Sequence, residues 1–170
     1  MAKQNLAAWD PKGIFPHQLP EVAAPEESIN AAERSLGITF DSELRGFLGY
    51  ADGWKCFHQS VTLFGAGELV GGPLRDSSLE AFEYAPEPLE DLGRTTEDLL
   101  TIAASLEQAD IFVMPIDDGV VGRNVHWLAE GEVIETFDTF GQYFVSMIEY
   151  TKRQISKLEE QARAAGITDQ

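Results

Sequence analysis

The chain has 170 residues, 44% hydrophobic and 24% charged, a composition and length that support one globular core without a metal or disulfide. Lysine and arginine number 12 against 29 aspartates and glutamates, a net charge of −17. Such a surface repels phosphate backbones and anionic membranes and draws in cationic partners, which argues against direct nucleic-acid binding. The single cysteine, Cys56, excludes an internal disulfide and a Cys-rich zinc site. No apolar run reaches the roughly 18 residues of a membrane span, and Met1 to Asp10 lacks a signal-peptide core. A reducing cytoplasm is the expected setting.

Residues 1–25 are punctuated by Pro11, Pro16, Pro20 and Pro25, which fix φ and remove donors, so an extended arm is expected there. Leu6, Trp9, Ile14 and Phe15 suit it to lie on the domain formed by residues 26–170. After Pro25, the acids Glu26 and Glu27 and the apolar Ile29, Ala32 and Leu36 predict an amphipathic helix closed by Gly37. Asp41 is placed to cap a second helix running to Ala51, with Leu44, Phe47, Leu48 and Ala51 on one face. Asp52-Gly53 breaks it.

The middle of the chain reads as β. Val61 to Phe64, Leu99 to Leu106 and Ile111 to Ile116 are strand candidates, Pro115 limiting the last to pairing through its first residues. Val125 to Leu128 and Glu132 to Ile134 flank Ala129-Glu130-Gly131, a hairpin signal. Gly65, Gly67, Gly71 and Gly72 lack phosphate-loop spacing and read as loop. Phe140, Phe144, Met147, Ile148, Thr151, Ile155 and Leu158 keep helical spacing from a cap at Asp138 or Thr139 to Ala164-Ala165-Gly166. Helices, then strands, then a helix predict an α+β domain with a mainly antiparallel sheet.

Few residues point to catalysis. His17, His58 and His126 lie in separate segments. A hydrolytic site using His126 with Asp117 and Asp118 is one reading, and a half-exposed strand histidine the plainer one. Cys56 and His58, two apart on an extended segment, would share a face, but no oxyanion donor is recognisable and the acidic surroundings oppose a thiolate. Asp117-Asp118-Gly119 fits a turn better than a cation loop, whose alternating acids and distal glutamate are missing. No catalytic set, metal or cofactor is expected.

The prominent feature is the acidic stretch at about 74–98. From Asp76 to Asp98 the acids are Asp76, Glu80, Glu83, Glu87, Glu90, Asp91, Glu97 and Asp98, against Arg94 alone. Leu79, Phe82, Tyr84, Leu89 and Leu92 are interleaved. A solvated face is one reading. The other is a proline-containing loop whose acids and aromatic anchors bind a basic protein. Trp54 offers either an interface anchor or a cap on the core. The candidate partner-binding residues are therefore Trp54, Asp76, Glu80, Glu83, Tyr84, Glu87, Glu90 and Asp91.

The order of several short pieces resembles the Smi/Knr-type family of the SUKH superfamily. Residues 29–37 are similar to its opening helix ending in Leu-Gly, and Ile38 to Leu48 to its second helix, with Phe40 where proline is common. Ala51-Asp52-Gly53-Trp54 looks like its helix-ending dipeptide, Leu63-Phe64-Gly65 like a strand end, and Thr136 to Phe140 like the entry to its last helix. The arm, the acidic insert and the long terminal helix depart from the pattern. The resemblance implies a non-catalytic α+β scaffold, commonly an immunity protein against a bacterial toxin and in eukaryotes a regulator of cell-wall assembly. Together with the charge, it makes a cognate basic, nuclease-type toxin the expected partner, with a regulatory interaction module as the alternative.

Overall fold

A computed structural model describes residues 18–105 and 109–164. Helix α1 (Glu26–Leu36) buries Ile29 and Ala32 and ends at Gly37, whose left-handed φ of 69° stops it. Helix α2 (Ser42–Leu48) starts at Asp41, whose carboxylate accepts from the N–H groups of Glu43 and Leu44 at 2.9 and 3.3 Å. Its regular part stops at Leu48 rather than Ala51. A closing turn, in which the N–H groups of Tyr50 and Ala51 donate to Phe47 O, still carries Ala51 into the core.

The arm residues Leu6, Trp9, Ile14 and Phe15, and His17 with them, lie outside the described residues. Residues 21–24 are held by backbone hydrogen bonds, Glu21 N–H to Gly53 O, Asp52 N–H to Val22 O and Ala24 N–H to Leu48 O.

The sheet comprises β1 (Trp54–His58), β2 (Val61–Leu63), β3 (Leu99–Ala104), β4 (Ile111–Asp117), β5 (Val120–Val121), β6 (Val125–Ala129) and β7 (Glu132–Phe137). Its order is β1-β2-β3-β4-β6-β7 with β5 paired to β4, and the described strands pair with one another antiparallel, while Thr39 adds a single parallel bridge to Val120 of β5. This is the α+β architecture the sequence predicts. Pairing of β4 reaches Pro115, opposite Leu99, further than the proline suggested. Two hairpins close through two-residue loops with positive φ at both positions. These are Asp118-Gly119 (51° and 76°) and Glu130-Gly131 (53° and 81°), the mirror-image turn that matches strand twist.

Two stretches expected as loop contain helices. Within the glycine-rich segment, Ala66–Val70 forms α3. The acidic stretch forms α4 (Pro73–Tyr84) and α5 (Glu87–Leu92). The prolines that suggested a loop sit in the first turns, where a missing N–H leaves no helix bond unmade.

Side chains alternate along β4 and through the first residues of β3, up to the register shift between Thr101 and Ala103, so the sheet is covered on both faces. Leu100, Phe112 and Met114 join the larger core with α1, α2 and the terminal helix α6 (Phe140–Ala164). Leu99, Ile111, Val113 and Leu128 form the smaller core beneath Phe82 of α4 and Leu89 of α5. Thr139 Oγ1 accepts from the Gln142 N–H at 3.1 Å and starts α6. That helix buries Phe140, Tyr143, Met147, Thr151 and Ile155.

The start of β1 and the end of β2 meet backbone to backbone. A Cβ on Gly65 would lie 2.5 Å from Asp52 O, and one on Gly53 2.7 Å from Gly65 N. Asp52 Oδ1 accepts from the Ala66 N–H at 2.7 Å, and Glu68 Oε2 from the Gly65 N–H at 3.0 Å, so two donors at the α3 start are satisfied.

Gly65→Ala is therefore expected to lower unfolding free energy by about 2 kcal/mol or more, because backbone must shift to admit the methyl. Gly67→Ala, with open space around its Cβ position, is the comparison and should cost nothing. Urea denaturation of both variants checks this.

At the far end of the sheet, buried Asp110 accepts from Trp127 Nε1 at 2.8 Å. Burial first, and then the charge of Glu130, hold its carboxyl above the ordinary range, with the Trp127 hydrogen bond opposing them. Its contribution to stability is thus full below the usual carboxylate pKa of about 3.9 and lost as pH rises through the folded value. Asp110→Asn keeps the acceptor without the charge. It should be more stable than the parent at pH 7 and no more stable at pH 3.5, as measured by urea titration at the two pH values.

Candidate functional site

The acidic stretch acquires its geometry from the smaller core. In α4, Ser78 and Phe82 turn inward, and Ser78 Oγ donates to Arg75 O at 2.7 Å and lies 3.3 Å from Thr101 Oγ1. Asp76, Glu80 and Glu83 consequently face solvent at helical spacing, followed by Tyr84, which is 89% exposed. In α5, Pro88 and Leu89 are buried while Glu87, Glu90 and Asp91 are exposed. Arg94, just past α5, grips Asp117 on β4 through two hydrogen bonds of 2.6 and 3.2 Å, and the guanidinium holds that carboxyl below the usual range. The base of the stretch is thus committed to the sheet, and the carboxylates above it are left to solvent.

The acids are also close to one another along the helices. Asp76 and Glu80 are four apart, Glu80 and Glu83 three, Glu87 and Glu90 three, Glu87 and Asp91 four. Like charges at those spacings destabilise a helix by about 0.2–0.5 kcal/mol per pair. Burial of Phe82 and Leu89, worth about 2 kcal/mol each, is large enough to hold the helices in place regardless.

Beside this face lies a groove of about 550 Å³ between the α4–α5 corner and the β6–β7 hairpin. Phe82, Ile111 and Leu128 form its floor, and the exposed Glu87, Glu130 and Glu132 its rim. The hairpin is predicted from the sequence but the groove is not, since only the tertiary fold brings Glu130 and Glu132 to the same groove as Glu87.

Trp54 is placed elsewhere. Its ring packs in the larger core, with centroids 5.3 Å from Phe57 and 6.3 Å from Phe144. Nε1 donates to Gln18 O at 2.9 Å. It lines a second groove, of about 610 Å³, with Asp52, Gly53 and the start of α4. The structure thus groups Asp76, Glu80, Glu83, Tyr84, Glu87, Glu90 and Asp91 on two consecutive helices, and sets Trp54 on the other core.

The residues considered for chemistry are occupied in other ways. His126 Nδ1 lies 2.9 Å from Thr136 Oγ1, and burial, then the charge of Arg94, lowers its pKa. Asp117 is held by Arg94, and Asp118 serves the turn. Cys56 has φ 51° and the β1–β2 register is irregular around it, so the alternation that would set Cys56 and His58 on one face breaks down. His58 is buried with Nδ1 3.1 Å from Thr151 Oγ1 on α6. Among the described residues, no group of three His, Cys, Asp or Glu side chains is placed to hold a metal, and no helix is long and apolar enough to cross a membrane.

No curated protein matches the chain. A family model described as SMI1 / KNR4 family (SUKH-1) matches residues 23–146, from just before α1 into the first turns of α6, with α4 and α5 inside the span. By that match over most of its length, with the helix-ending Asp52-Gly53 and the strand end at Gly65 in direct contact, the chain belongs to the SMI1/KNR4 family (SUKH-1).

Proposed function

We propose that the chain is an immunity protein, which binds a cognate bacterial toxin domain of basic, nuclease type and occupies the surface that would otherwise meet nucleic acid. The observation that carries this reading is the set of exposed carboxylates on α4 and α5, helices that the smaller core holds to the sheet against their mutual repulsion. A nuclease needs a cationic cleft for phosphates. A protein with net charge −17 and a concentrated acidic face is attracted to such a cleft by the same field. Family membership supports a protein-binding role, since immunity proteins are among the known members.

Charge complementarity acts chiefly on the association rate, which suits a protein that must reach a toxin before its substrate does. Attraction over a distance also makes the rate sensitive to salt, because the Debye length shrinks from about 10 Å at 0.1 M to about 3 Å at 1 M.

Co-expression with the cognate toxin domain is expected to restore growth to cells that the toxin alone arrests, and the purified pair to form a complex. Failure of both would overturn the proposal. In stopped-flow mixing, the association rate should fall on the order of tenfold as salt rises from about 50 mM to about 500 mM. The triple change Glu83→Lys, Glu87→Lys and Glu90→Lys should cause a similar loss at low salt while the chain stays folded. A rate indifferent to both would show that α4 and α5 are not the interface.

A further inference from the structure

The groove at the edge of the acidic face has a construction that the face itself lacks. Its floor is apolar, formed by Phe82, Ile111 and Leu128, and its rim carries carboxylates from two separate elements, Glu87 on α5 and Glu130 and Glu132 at the hairpin tip. At about 550 Å³ it falls within the range of about 300–1,000 Å³ typical of pockets that hold a specific group. An apolar partner side chain would cover the floor but leave three carboxylates to be desolvated without compensation, which is costly. A small cation would satisfy the rim and leave the floor wet. A long amphipathic cation meets both demands, as its methylene stem lies on apolar surface and its charged head reaches the carboxylates.

Between the two long cations, the rim favours arginine. Carboxylates approaching from two elements match a planar guanidinium with five donors in a fixed fork better than a compact, strongly hydrated ammonium. At the hairpin tip Glu130 occupies the first position of a mirror-image turn at φ 53°, where asparagine is an ordinary choice, so its carboxylate can be removed without disturbing the turn.

We infer that this groove is a specificity pocket that receives one arginine side chain of the bound protein, its stem on Phe82, Ile111 and Leu128 and its guanidinium among Glu87, Glu130 and Glu132. The inference rests on the immunity reading for the identity of the partner, but not for the chemistry of the pocket. Broad attraction over α4 and α5 brings the partner in, and the pocket sets which basic surface stays bound.

The pocket is tested first without the toxin, by titrating the isotopically labelled full chain with N-acetyl-arginine methylamide and, in parallel, its neutral citrulline counterpart. Saturable amide shifts centred on Ala85, Ala109 and Gly131 are expected for arginine, at least fivefold weaker for citrulline and lost in Glu130→Asn. Absent shifts, or shifts equal for both probes, overturn the pocket. Asparagine suits the turn, so the variant should melt no lower than the parent, and loss of binding then reports charge and not misfolding. In the complex with the toxin, Glu130→Asn and the groove-filling Ala85→Trp should each raise the dissociation rate at least tenfold with little change in association rate. An unchanged dissociation rate would remove the pocket from the interface while the immunity reading stands. A toxin that never binds, alongside a positive arginine titration, would instead remove the immunity reading and leave the pocket as a site for another arginine-bearing protein.

Discussion

The structure depends on the place where two backbone segments touch without side chains between them. Asp52-Gly53 and Gly65 approach so closely that a Cβ on either glycine would fall inside the other segment. That contact lets Asp52 reach the first turn of α3, brings residues 21–22 alongside Gly53 and Asp52, and fixes where β1 enters the sheet. A change there is felt through backbone, which relaxes poorly, and not through flexible side-chain ends. Two of the short sequence pieces that resemble the family are the two sides of this contact. Their likeness is therefore a structural requirement more than a functional one.

Much of the fold was legible because local chemistry and periodicity agreed. Gly37 terminates α1, Asp41 caps α2, Thr139 caps α6, and each lies where a stripe of buried residues begins or ends. The two acid-glycine turns were readable for the same reason: Asp118-Gly119 and Glu130-Gly131 sit between β-prone runs. Where the sequence misled, two local signals competed. In the acidic stretch Leu79, Phe82, Leu89 and Leu92 keep helical spacing, but prolines next to them suggested a loop. Proline disrupts only a helix interior, and Pro73 and Pro88 are in first turns. In β1 the alternation fails because Cys56 has a left-handed φ, which nothing in the composition of that segment announces.

The candidate site was legible as a composition and not as a shape. Runs of carboxylates can be counted in a sequence, and those on α4 and α5 are exposed. The partnership of Glu87 with Glu130 and Glu132 depends on the β6–β7 hairpin folding beside the α4–α5 corner, a relation between distant segments with no local signature. Trp54 shows the converse. A tryptophan after a helix break is equally suited to an interface or to a core edge, and the ring contacts with Phe57 and Phe144 are made by residues whose positions local reasoning does not supply.

The two-sided sheet explains how a strongly acidic face can be tolerated at all. Most of the apolar burial lies in the larger core between the sheet and α1, α2 and α6, away from the repelling carboxylates. The smaller core needs only to keep α4 and α5 attached, and Arg94, clamped to Asp117, adds a polar tie at the end of α5. Charge accumulated on those helices raises their energy relative to solvent-separated acids but does not reach the contacts that define the fold. The division into two cores is what lets the fold tolerate that repulsion, because the contacts that set the sheet lie on its other face.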